Sequence, residues 1–586
     1  MIKTVNSVLI ANRGEIAVRV IRAAAELGLR TIAVYSELDR DAIHVELADE
    51  AWNIGPPPAA ESYLKISRII EVAHESGADA VHPGYGFLAE NAGFAQAVLD
   101  AGLIWVGPSP EAIALMGDKI SSRRAAEKAG VAMVPGTLDP VTSHAEVAAF
   151  AKENGFPLAI KAAAGGGGRG LKVVRSDDQL ESAFESAGRE AQAWFGNPEV
   201  YIERYLDRPR HIEAQVVLDA HGNGVFLGER DCSMQRRHQK LIEETPAPGL
   251  DEATRKDIGK AALAVAHAAD YVNAGTVEFL LDDDGKFYFL EMNTRIQVEH
   301  TITEMVTGID LVKEQLRIAA GEPLTFGPTP ANGHAIEFRI NAEDASNSFL
   351  PNPGDLVEYR EPAGFGVRVD SGVRAGSSIS QYYDNMIAKL VVWGRDREEA
   401  IARGRRCLEA FNIRGVETTI PAHLEIMATD AFATGRYYTR YVEEQMDFSH
   451  LESHTAPALP EEEEREERSM TVEVGGRRYT VKFWAPVMSE PAAGGARPAP
   501  RRRPPKLERS GGAADGAGVV TAPMQGTIVK VHKPAGSAVE AGEPIIVLEA
   551  MKMENEIKAP TDGEIVDLRV QPGDTVAVGA ILMQIK

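Results

Sequence analysis

Glu278, Glu291 and Asn293 are carboxylates and an amide at a spacing that suggests metal chemistry. Glu278 lies in the apolar run 276–281, and Glu291 follows the apolar run 287–290. The turn sequence Asp283-Asp284-Gly285 stands between them. This pattern predicts a hairpin with Glu291 at the end of its second strand. Carboxylates on neighbouring strands, with an amide oxygen two residues on, aim hard oxygen ligands at one point. Such a set suits Mg2+ shared with nucleotide phosphates. A solvated sheet face would carry the same residue types, so a phosphate site has to be found independently.

Gly165-Gly166-Gly167-Gly168-Arg169-Gly170 offers one. The run Leu158-Ala159-Ile160-Lys161 leads in, and Leu171-Lys172-Val173-Val174 leads out. Glycines let backbone N–H groups fold closely over phosphates, and Lys161 adds a positive charge. Strand, loop, strand is not the Walker arrangement, and its Gly-Lys-Ser/Thr ending is absent. A flexible linker is the alternative, but linkers are seldom flanked by two apolar runs. Lys119 precedes a helix expected over 121–129 and by itself reads as a surface lysine. Tyr201-Ile202-Glu203-Arg204-Tyr205-Leu206 predicts a strand able to meet an adenine. His211 and the string from Asp231 through Gln235, His238 and Lys240 supply further polar groups. Cys232 within that string reads as a small buried core residue rather than a nucleophile.

A third site stands near the far end, at Glu549-Ala550-Met551-Lys552-Met553. Apolar runs on both sides predict a β-hairpin. Its tip has none of the Gly, Pro, Asn or Asp that turns recruit. Methionines and a lysine stand there instead, with an amine presented outward. Gly526-Thr527-Ile528-Val529 recurs as Gly563-Glu564-Ile565-Val566, Gly536 recurs as Gly573, and Gly542 as Gly579, each pair 37 residues apart. A duplicated short-strand unit with the lysine between its copies predicts a pseudo-symmetric all-β sandwich.

The elements that position these sites follow in order. Val8-Leu9-Ile10-Ala11 is a buried-strand run. Asn12-Arg13-Gly14-Glu15 turns into a helix whose apolar face carries Ile16, Val20, Ala23, Ala24 and Leu27. Strand–helix alternation predicts a doubly wound α/β domain over 1–115. A dinucleotide site would need Gly-x-Gly-x-x-Gly at the first turn, where only Gly14 stands. Further domains are expected over 116–325 and 326–448. Residues 449–468 read as an acidic linker, 469–484 as a short β-hairpin and 485–517 as a Pro/Gly/Ala/Arg-rich tether. The tether's roughly 33 residues would average about 30 Å as a coil.

The net charge of −24 argues against a general nucleic-acid binder, because phosphate backbones would repel it. Cys232 and Cys407 are the only cysteines, too few for a disulfide framework. No apolar run is long enough to span a bilayer, and the first residues lack a signal peptide's apolar core. A cytoplasmic protein without membrane partners is expected.

Residues 518–586 resemble the biotinyl carrier domains, and Ala550-Met551-Lys552-Met553 matches that family's biotinylation motif. The related lipoyl domains share the fold but usually lack the flanking methionines. About residues 4–447 resemble the biotin carboxylases, an ATP-grasp family. The matching strings are Ala11-Asn12-Arg13-Gly14-Glu15-Ile16, Gly84-Tyr85-Gly86-Phe87-Leu88-Ala89-Glu90-Asn91, the glycine loop, the string from Cys232 to Lys240, and Glu291-Met292-Asn293-Thr294-Arg295-Ile296-Gln297-Val298-Glu299-His300. Thr301 departs from the pattern, since relatives usually have Pro there, and little consequence is expected. The implied fold is α/β and α+β multidomain: a Rossmann-like N-terminal domain, an ATP-grasp domain, a biotin carboxylase C-terminal subdomain and an all-β biotinyl sandwich.

The resemblance implies an acyl-CoA carboxylase alpha subunit that joins bicarbonate to biotin on Lys552 at the expense of ATP. It implies that Lys119, Lys161, Gly167, Gly168, Glu203, Leu206, His211, Gln235, His238, Glu278 and Glu291 bind ATP. Mg2+ or Mn2+ would sit on Glu278, Glu291 and Asn293. Lys240, Arg295, Gln297 and Val298 would hold bicarbonate, with Glu299 as general base. Arg339 and Asp384 would meet biotin, Arg339 stabilising its enolate. Implied partners are a separate carboxyltransferase beta subunit, with the 469–484 hairpin its candidate dock, and a biotin protein ligase. A homo-oligomer within a larger hetero-oligomer is expected. The biotin carboxylase component of a two-subunit pyruvate or other non-CoA carboxylase is the alternative. ATP-grasp enzymes with other products need no carrier lysine. A passive carrier would not need Lys161, Glu278, Glu291, Arg295 and Glu299 intact.

Overall fold

The computed structural model describes residues 3–137, 139–162, 171–195, 199–452, 465–474, 477–486, 518–522, 526–550, 553–576 and 579–586. The chain divides into two compact units, Met1–Ser453 and His454–Lys586. Among the described residues no helix is long and apolar enough to cross a membrane.

The first unit opens with a five-stranded parallel sheet. Its order is Glu50–Gly55, Arg30–Ser36, Ser7–Ile10, Ala80–His82, Ile104–Trp105. The central strand Ser7–Ile10 is buried throughout, as a strand covered on both faces must be. Val8 and Ile10 pack with Ile16, Val20 and Ala24 of the helix Gly14–Glu26. Leu9 and Ala11 pack with Ile69, Val72, Phe94 and Val98 on the other side. The two-residue alternation of a strand thus feeds two cores, which is what double winding requires.

An eight-stranded antiparallel sheet follows. Its order is Phe287–Asn293, Asn273–Leu281, Arg210–Leu218, Gly224–Arg236, Gln239–Thr245, His334–Asn341, Met386–Gly394, Val367–Ser371. It runs without a break across the boundary expected at 325/326, because Gln239–Thr245 pairs with His334–Asn341. A separate three-stranded sheet, Leu171–Val174, Leu158–Ala162, Val200–Arg204, carries its own core around Ile160, Leu180 and Ile202. The hairpin expected around the glycine loop is present in register, Leu158 opposite Val174 and Lys161 opposite Leu171.

Three expectations need correction. The helix expected over 121–129 begins at Lys119, because Asp118 caps it by accepting from Ser121 N at 2.8 Å. Glu291 lies inside the strand Phe287–Asn293 rather than at its end. The hairpin expected at 469–484 consists of the strands Arg465–Val474 and Arg477–Pro486, so it begins inside the segment read as linker and ends inside the segment read as tether. Acidic residues at 466 and 467 masked the strand's start in the sequence, since charge density reads as solvated coil.

The second unit also contains two four-stranded sheets. One is ordered Met553–Lys558, Pro544–Ala550, Gly526–Val531, Thr575–Val576. The other is ordered Val519–Thr521, Ile581–Ile585, Gly563–Leu568, Ala538–Val539. The strands starting at Gly526, Ala538 and Pro544 recur at Gly563, Thr575 and Ile581, keeping the 37-residue offset. Each half therefore lends its short strand to the other half's sheet. Ala550 pairs with Met553, and Lys552 lies outside the described residues.

Candidate functional site

The strand Arg210–Leu218 sets the site's floor. His211, Glu213 and Gln215 alternate with Ile212, Ala214 and Val216, and the apolar set packs into the core below. The polar set lies on the sheet's other face, beside residues of the neighbouring strands. Glu213 stands opposite Glu278 and also opposite Arg230. Arg230 is fully buried. Its Nε and Nη2 donate to Glu213 Oε2 at 3.2 and 3.1 Å, its Nη1 to Gln215 Oε1 at 2.7 Å and Thr303 Oγ1 at 3.0 Å, and its Nη2 to Gln297 Oε1 at 2.6 Å. Sequence reasoning missed Arg230 and Glu213. The period-two alternation around Glu213 was the available signal; Arg230, between Glu229 and Asp231, gave none.

Lys240 gathers the carboxylates. Its ammonium contacts Glu213, Glu278 Oε1 at 3.3 Å and Glu299 Oε1 at 2.6 Å. Arg339 Nη2 donates to Glu299 Oε2 at 2.9 Å, and its Nε to Glu243 Oε1 at 2.5 Å. Glu299 is therefore clasped between two cations. Burial works to raise its pKa, but Lys240, Arg339 and Arg230 outweigh burial and hold it well below the usual range. Burial works to lower the pKa of Lys240, but Glu213, Glu278 and Glu299 hold it well above its ordinary value. The resting pair is thus fully ionised.

The expected metal ligands come together. Glu278 and Glu291 stand directly opposite one another in register. Asn293 Nδ2 donates to Glu278 Oε1 at 2.8 Å, while its Oδ1 accepts from Arg295 Nη2 at 2.9 Å. Two hard carboxylates on facing strands fit a divalent cation such as Mg2+. The oxygen of Asn293 is turned to Arg295, so joining them as a ligand requires that amide to rotate. Gln297 Nε2 donates to Glu278 Oε1 at 2.7 Å, and His211 Nε2 lies 2.8 Å from Glu278 Oε2.

The remaining expected residues take several positions. Lys161 pairs with Glu203 in the small sheet. Leu206 packs against Val134 and Tyr288. Gln235 is buried opposite Lys240 in register. His238 shares a two-residue turn with Arg237, both at positive φ (66° and 47°), where glycine or asparagine is usual. That costly backbone leaves the imidazole exposed beside Lys240's strand. The carbonyl of Val298 accepts from the fully buried Lys389 Nζ at 3.1 Å. Arg295 Nε donates to Glu90 Oε2 at 3.0 Å, and Thr294 N to Glu90 Oε1 at 3.2 Å. Glu90 thereby ties the glycine-bearing segment 84–91 to the site, a link the sequence did not reveal. Lys119 and Asp384 are exposed outside this cluster, and Asp384 Oδ1 accepts from Met386 N at 2.9 Å. Gly167 and Gly168 lie outside the described residues.

Lys240, Arg295 and Arg339 supply positive charge, Glu299 an ionised carboxylate, and Glu278 with Glu291 two facing carboxylates able to hold a divalent cation.

Four family matches cover most of the chain. Residues 4–113 match the biotin carboxylase N-terminal domain, and 118–326 the carbamoyl-phosphate synthase L chain ATP-binding domain. Residues 337–444 match the biotin carboxylase C-terminal domain, and 518–585 the biotin-requiring enzyme domain. The chain is 51% identical to the biotin-dependent acyl-coenzyme A carboxylase alpha3 subunit of Mycobacterium leprae, over 99% of this chain and 98% of that one. It is 53% identical to a pyruvate carboxylase subunit of Methanothermobacter thermautotrophicus, over 75% of this chain and 90% of that one. Among solved structures, the biotin carboxylase domain dimer of Hydrogenobacter thermophilus 2-oxoglutarate carboxylase, in complex with MgADP, ADP and bicarbonate, matches with a TM-score of 0.68 and 47% identity. That match covers 75% of this chain and 98% of the other.

Proposed function

The chain belongs to the biotin-dependent carboxylase alpha subunits, with a biotin carboxylase and a biotinyl domain on one polypeptide, and from that premise we propose how its residues act and what it serves. Its activity is biotin carboxylase, an ATP-consuming ligase reaction with biotin, ATP and Mg2+ as cofactors. The observation that carries the reading of its site is Glu299 held between Lys240 at 2.6 Å and Arg339 at 2.9 Å.

Bicarbonate enters as an anion beside Lys240, Arg295 and Gln297. A guanidinium can hold it through two parallel hydrogen bonds. As it shares the two cations, their hold on Glu299 weakens and that carboxylate's proton affinity rises. Glu299 then accepts the bicarbonate proton. Lys161 and Glu203, with Lys119, His211, Gln235, His238, Leu206 and the backbone of Gly167 and Gly168, hold ATP. Glu278 and Glu291, with Asn293 after rotation, would hold Mg2+, whose charge would offset that of the ATP phosphates. Arg339 holds negative charge on the biotin ureido group, and Asp384 meets biotin from the loop before Met386–Gly394. Lys552 carries the biotin.

The carboxyl group passes to an acyl-CoA on a separate carboxyltransferase beta subunit, acetyl-CoA or propionyl-CoA, in supply of fatty-acid or polyketide precursors. Support comes from the alpha-subunit relative that matches along nearly the whole chain, biotinyl domain included. The Methanothermobacter relative keeps a pyruvate carboxylase reading alive, but it matches over only 75% of this chain. We place the chain in the cytoplasm, biotinylated by a biotin protein ligase and assembled as a homo-oligomer with its beta subunit.

The test is ATP hydrolysis by the purified biotinylated chain with and without bicarbonate, followed by addition of acetyl-CoA, propionyl-CoA or pyruvate together with the beta subunit. Hydrolysis that does not depend on bicarbonate would refute the biotin carboxylase reading. Carboxylation of pyruvate alone would refute the acyl-CoA reading.

A further inference from the structure

Behind Arg339 lie two carboxyl groups that take no part in the binding and proton transfer at Glu299. Glu243, on the strand Gln239–Thr245, stands directly opposite Glu337, on His334–Asn341. Directly opposed residues share one face of a sheet, with Cβ atoms about 4.5–5.5 Å apart. Both side chains are fully buried. Glu243 Oε1 accepts from Arg339 Nε at 2.5 Å, and Glu337 Oε2 is hydrogen-bonded to Thr301 Oγ1. Their other oxygens, Glu243 Oε2 and Glu337 Oε1, have no hydrogen-bond partner among the described residues. A buried carboxylate oxygen without a donor is costly, and two like charges this close in a dry site cannot both persist cheaply. A proton resolves both costs at once.

We propose that Glu243 and Glu337 share one proton, with Glu337 the acid and Glu243 the acceptor, and that they are positioning residues that set how firmly Arg339 holds Glu299. The proposal rests on the reading of Glu299 as the base. Thr301 holds Oε2 of Glu337, and Oε1 is the oxygen left without a partner among the described residues. A residue without a hydroxyl at 301 would leave Glu337 without this tether, so the departure at Thr301 has a structural consequence after all.

The charged groups facing the pair are Lys240 and Arg339 on its own two strands, Lys389 on the adjoining strand Met386–Gly394, and Glu299 at the cap of the helix His300–Thr307. Burial first, then Glu243, keeps Glu337 well above the usual carboxyl range against the pull of Lys389 and Arg339. Burial pushes Glu243 up to about 7 against Arg339. Below that pH Glu243 takes a proton from solvent and releases Arg339 to Glu299, which becomes a weaker base. Above it, Glu243 shares Arg339 and Glu299 is freer to accept a proton. The rate with bicarbonate should therefore rise with pH through about 7.

The biotinylated full chain is assayed for bicarbonate-dependent ATP hydrolysis across this range. Wild type should show the inflection in kcat/KM for bicarbonate, and Glu243→Gln should lose it. Glu337→Gln should keep it, with a rate within about threefold of wild type, because an amide N–H donates where the acid O–H did. KM for ATP should stay within about twofold in both variants. An inflection kept by Glu243→Gln, or lost by Glu337→Gln, overturns the proposal. Infrared difference spectra of folded wild type against Glu337→Gln near about pH 8 give a readout free of activity, since an ionised carboxylate has no acid carbonyl band. The acid band should vanish in the variant; its absence from wild type overturns the proposal even where a variant folds poorly. Loss of bicarbonate dependence in wild type would instead count against the functional reading, leaving the infrared result to decide the pair.

Discussion

Arg230 and Glu213 are both fully buried, and two guanidinium nitrogens of the one reach a single carboxylate oxygen of the other at 3.2 and 3.1 Å. Neither group touches solvent, yet between them they hold Lys240 and Gln297 beside Glu278. Breaking a buried pair by removing one partner leaves an uncompensated charge and costs roughly 3–5 kcal/mol. Arg230→Met should therefore lower the unfolding free energy of the first unit, measured by denaturant titration, by that order. Arg230→Lys should not rescue it, since a compact ammonium cannot serve Glu213, Gln215, Thr303 and Gln297 together. A loss of unfolding free energy under about 1 kcal/mol would show the network to be dispensable.

Glu299→Gln separates binding from chemistry. The amide keeps the size but only one of the two cation contacts, because its NH2 cannot accept from Lys240 or Arg339, and it cannot take a proton. Bicarbonate-dependent ATP turnover should fall roughly 10²–10⁴-fold with KM for ATP unchanged. Near wild-type turnover would assign the base to another residue.

Glu291→Gln acts on the cation site. Glu291 faces Glu278 across the hairpin and is more open to solvent, so its loss should disturb folding little. Loss of one carboxylate ligand should raise the Mg2+ concentration for half-maximal activity by about tenfold or more. An unchanged Mg2+ requirement would remove Glu291 from the ligand set.

The sequence made the local patterns legible and left the convergence hidden. Glu278, Glu291 and Asn293 could be paired from a hairpin signal because turn and strands are adjacent in the chain. The glycine loop and the repeat over 526–579 announced themselves by composition and offset. Glu243 and Glu337 are 94 residues apart and meet only through the pairing of Gln239–Thr245 with His334–Asn341, which no local pattern encodes. Glu90 reaches Arg295 across two domains for the same reason. Thr301 was visible as a departure, but its partner Glu337 was not, so its effect was undervalued. The early start of the strand at Arg465 was lost because charge was weighed above alternation.

His82 couples the fold to pH. Gly84 N donates to its Nδ1 at 3.0 Å, so Nε2 carries the hydrogen and faces Gln315 Oε1 at 3.2 Å. Burial lowers its pKa from 6.5 to about 4, helped by Arg19 and opposed by Gln315. Between those values the unfolded chain binds a proton that the folded chain refuses. Stability thus falls as pH drops below 6.5, and this residue's share of the loss is complete near 4, about 3 kcal/mol in all. His82→Gln should flatten the pH dependence of Tm across that window by one proton's worth. An unchanged slope would mean that His82 is charged in the folded state.

Lys552→Arg tests the carrier. The sandwich is built from two copies of one unit, but they are not joined alike. In one sheet Pro544–Ala550 runs straight into Met553–Lys558, and the pairing of Ala550 with Met553 leaves only Met551 and Lys552 between the strands. In the other, the counterpart pair Val519–Thr521 and Ile581–Ile585 comes from distant parts of the segment. Only one of these two pairs is thus joined by two residues of sequence, and Lys552 is one of the two. Biotin attachment needs a primary amine, which a guanidinium is not, while arginine keeps the positive charge and the long aliphatic stem. Intact mass after treatment with biotin protein ligase, ATP and biotin should rise by one biotin in wild type and by none in the variant. The first unit folds around its own cores, so the variant should still hydrolyse ATP with bicarbonate and free biotin at a rate close to wild type. Transfer to an acyl-CoA through the beta subunit should be lost. Stoichiometric biotin on the variant would place the attachment site elsewhere.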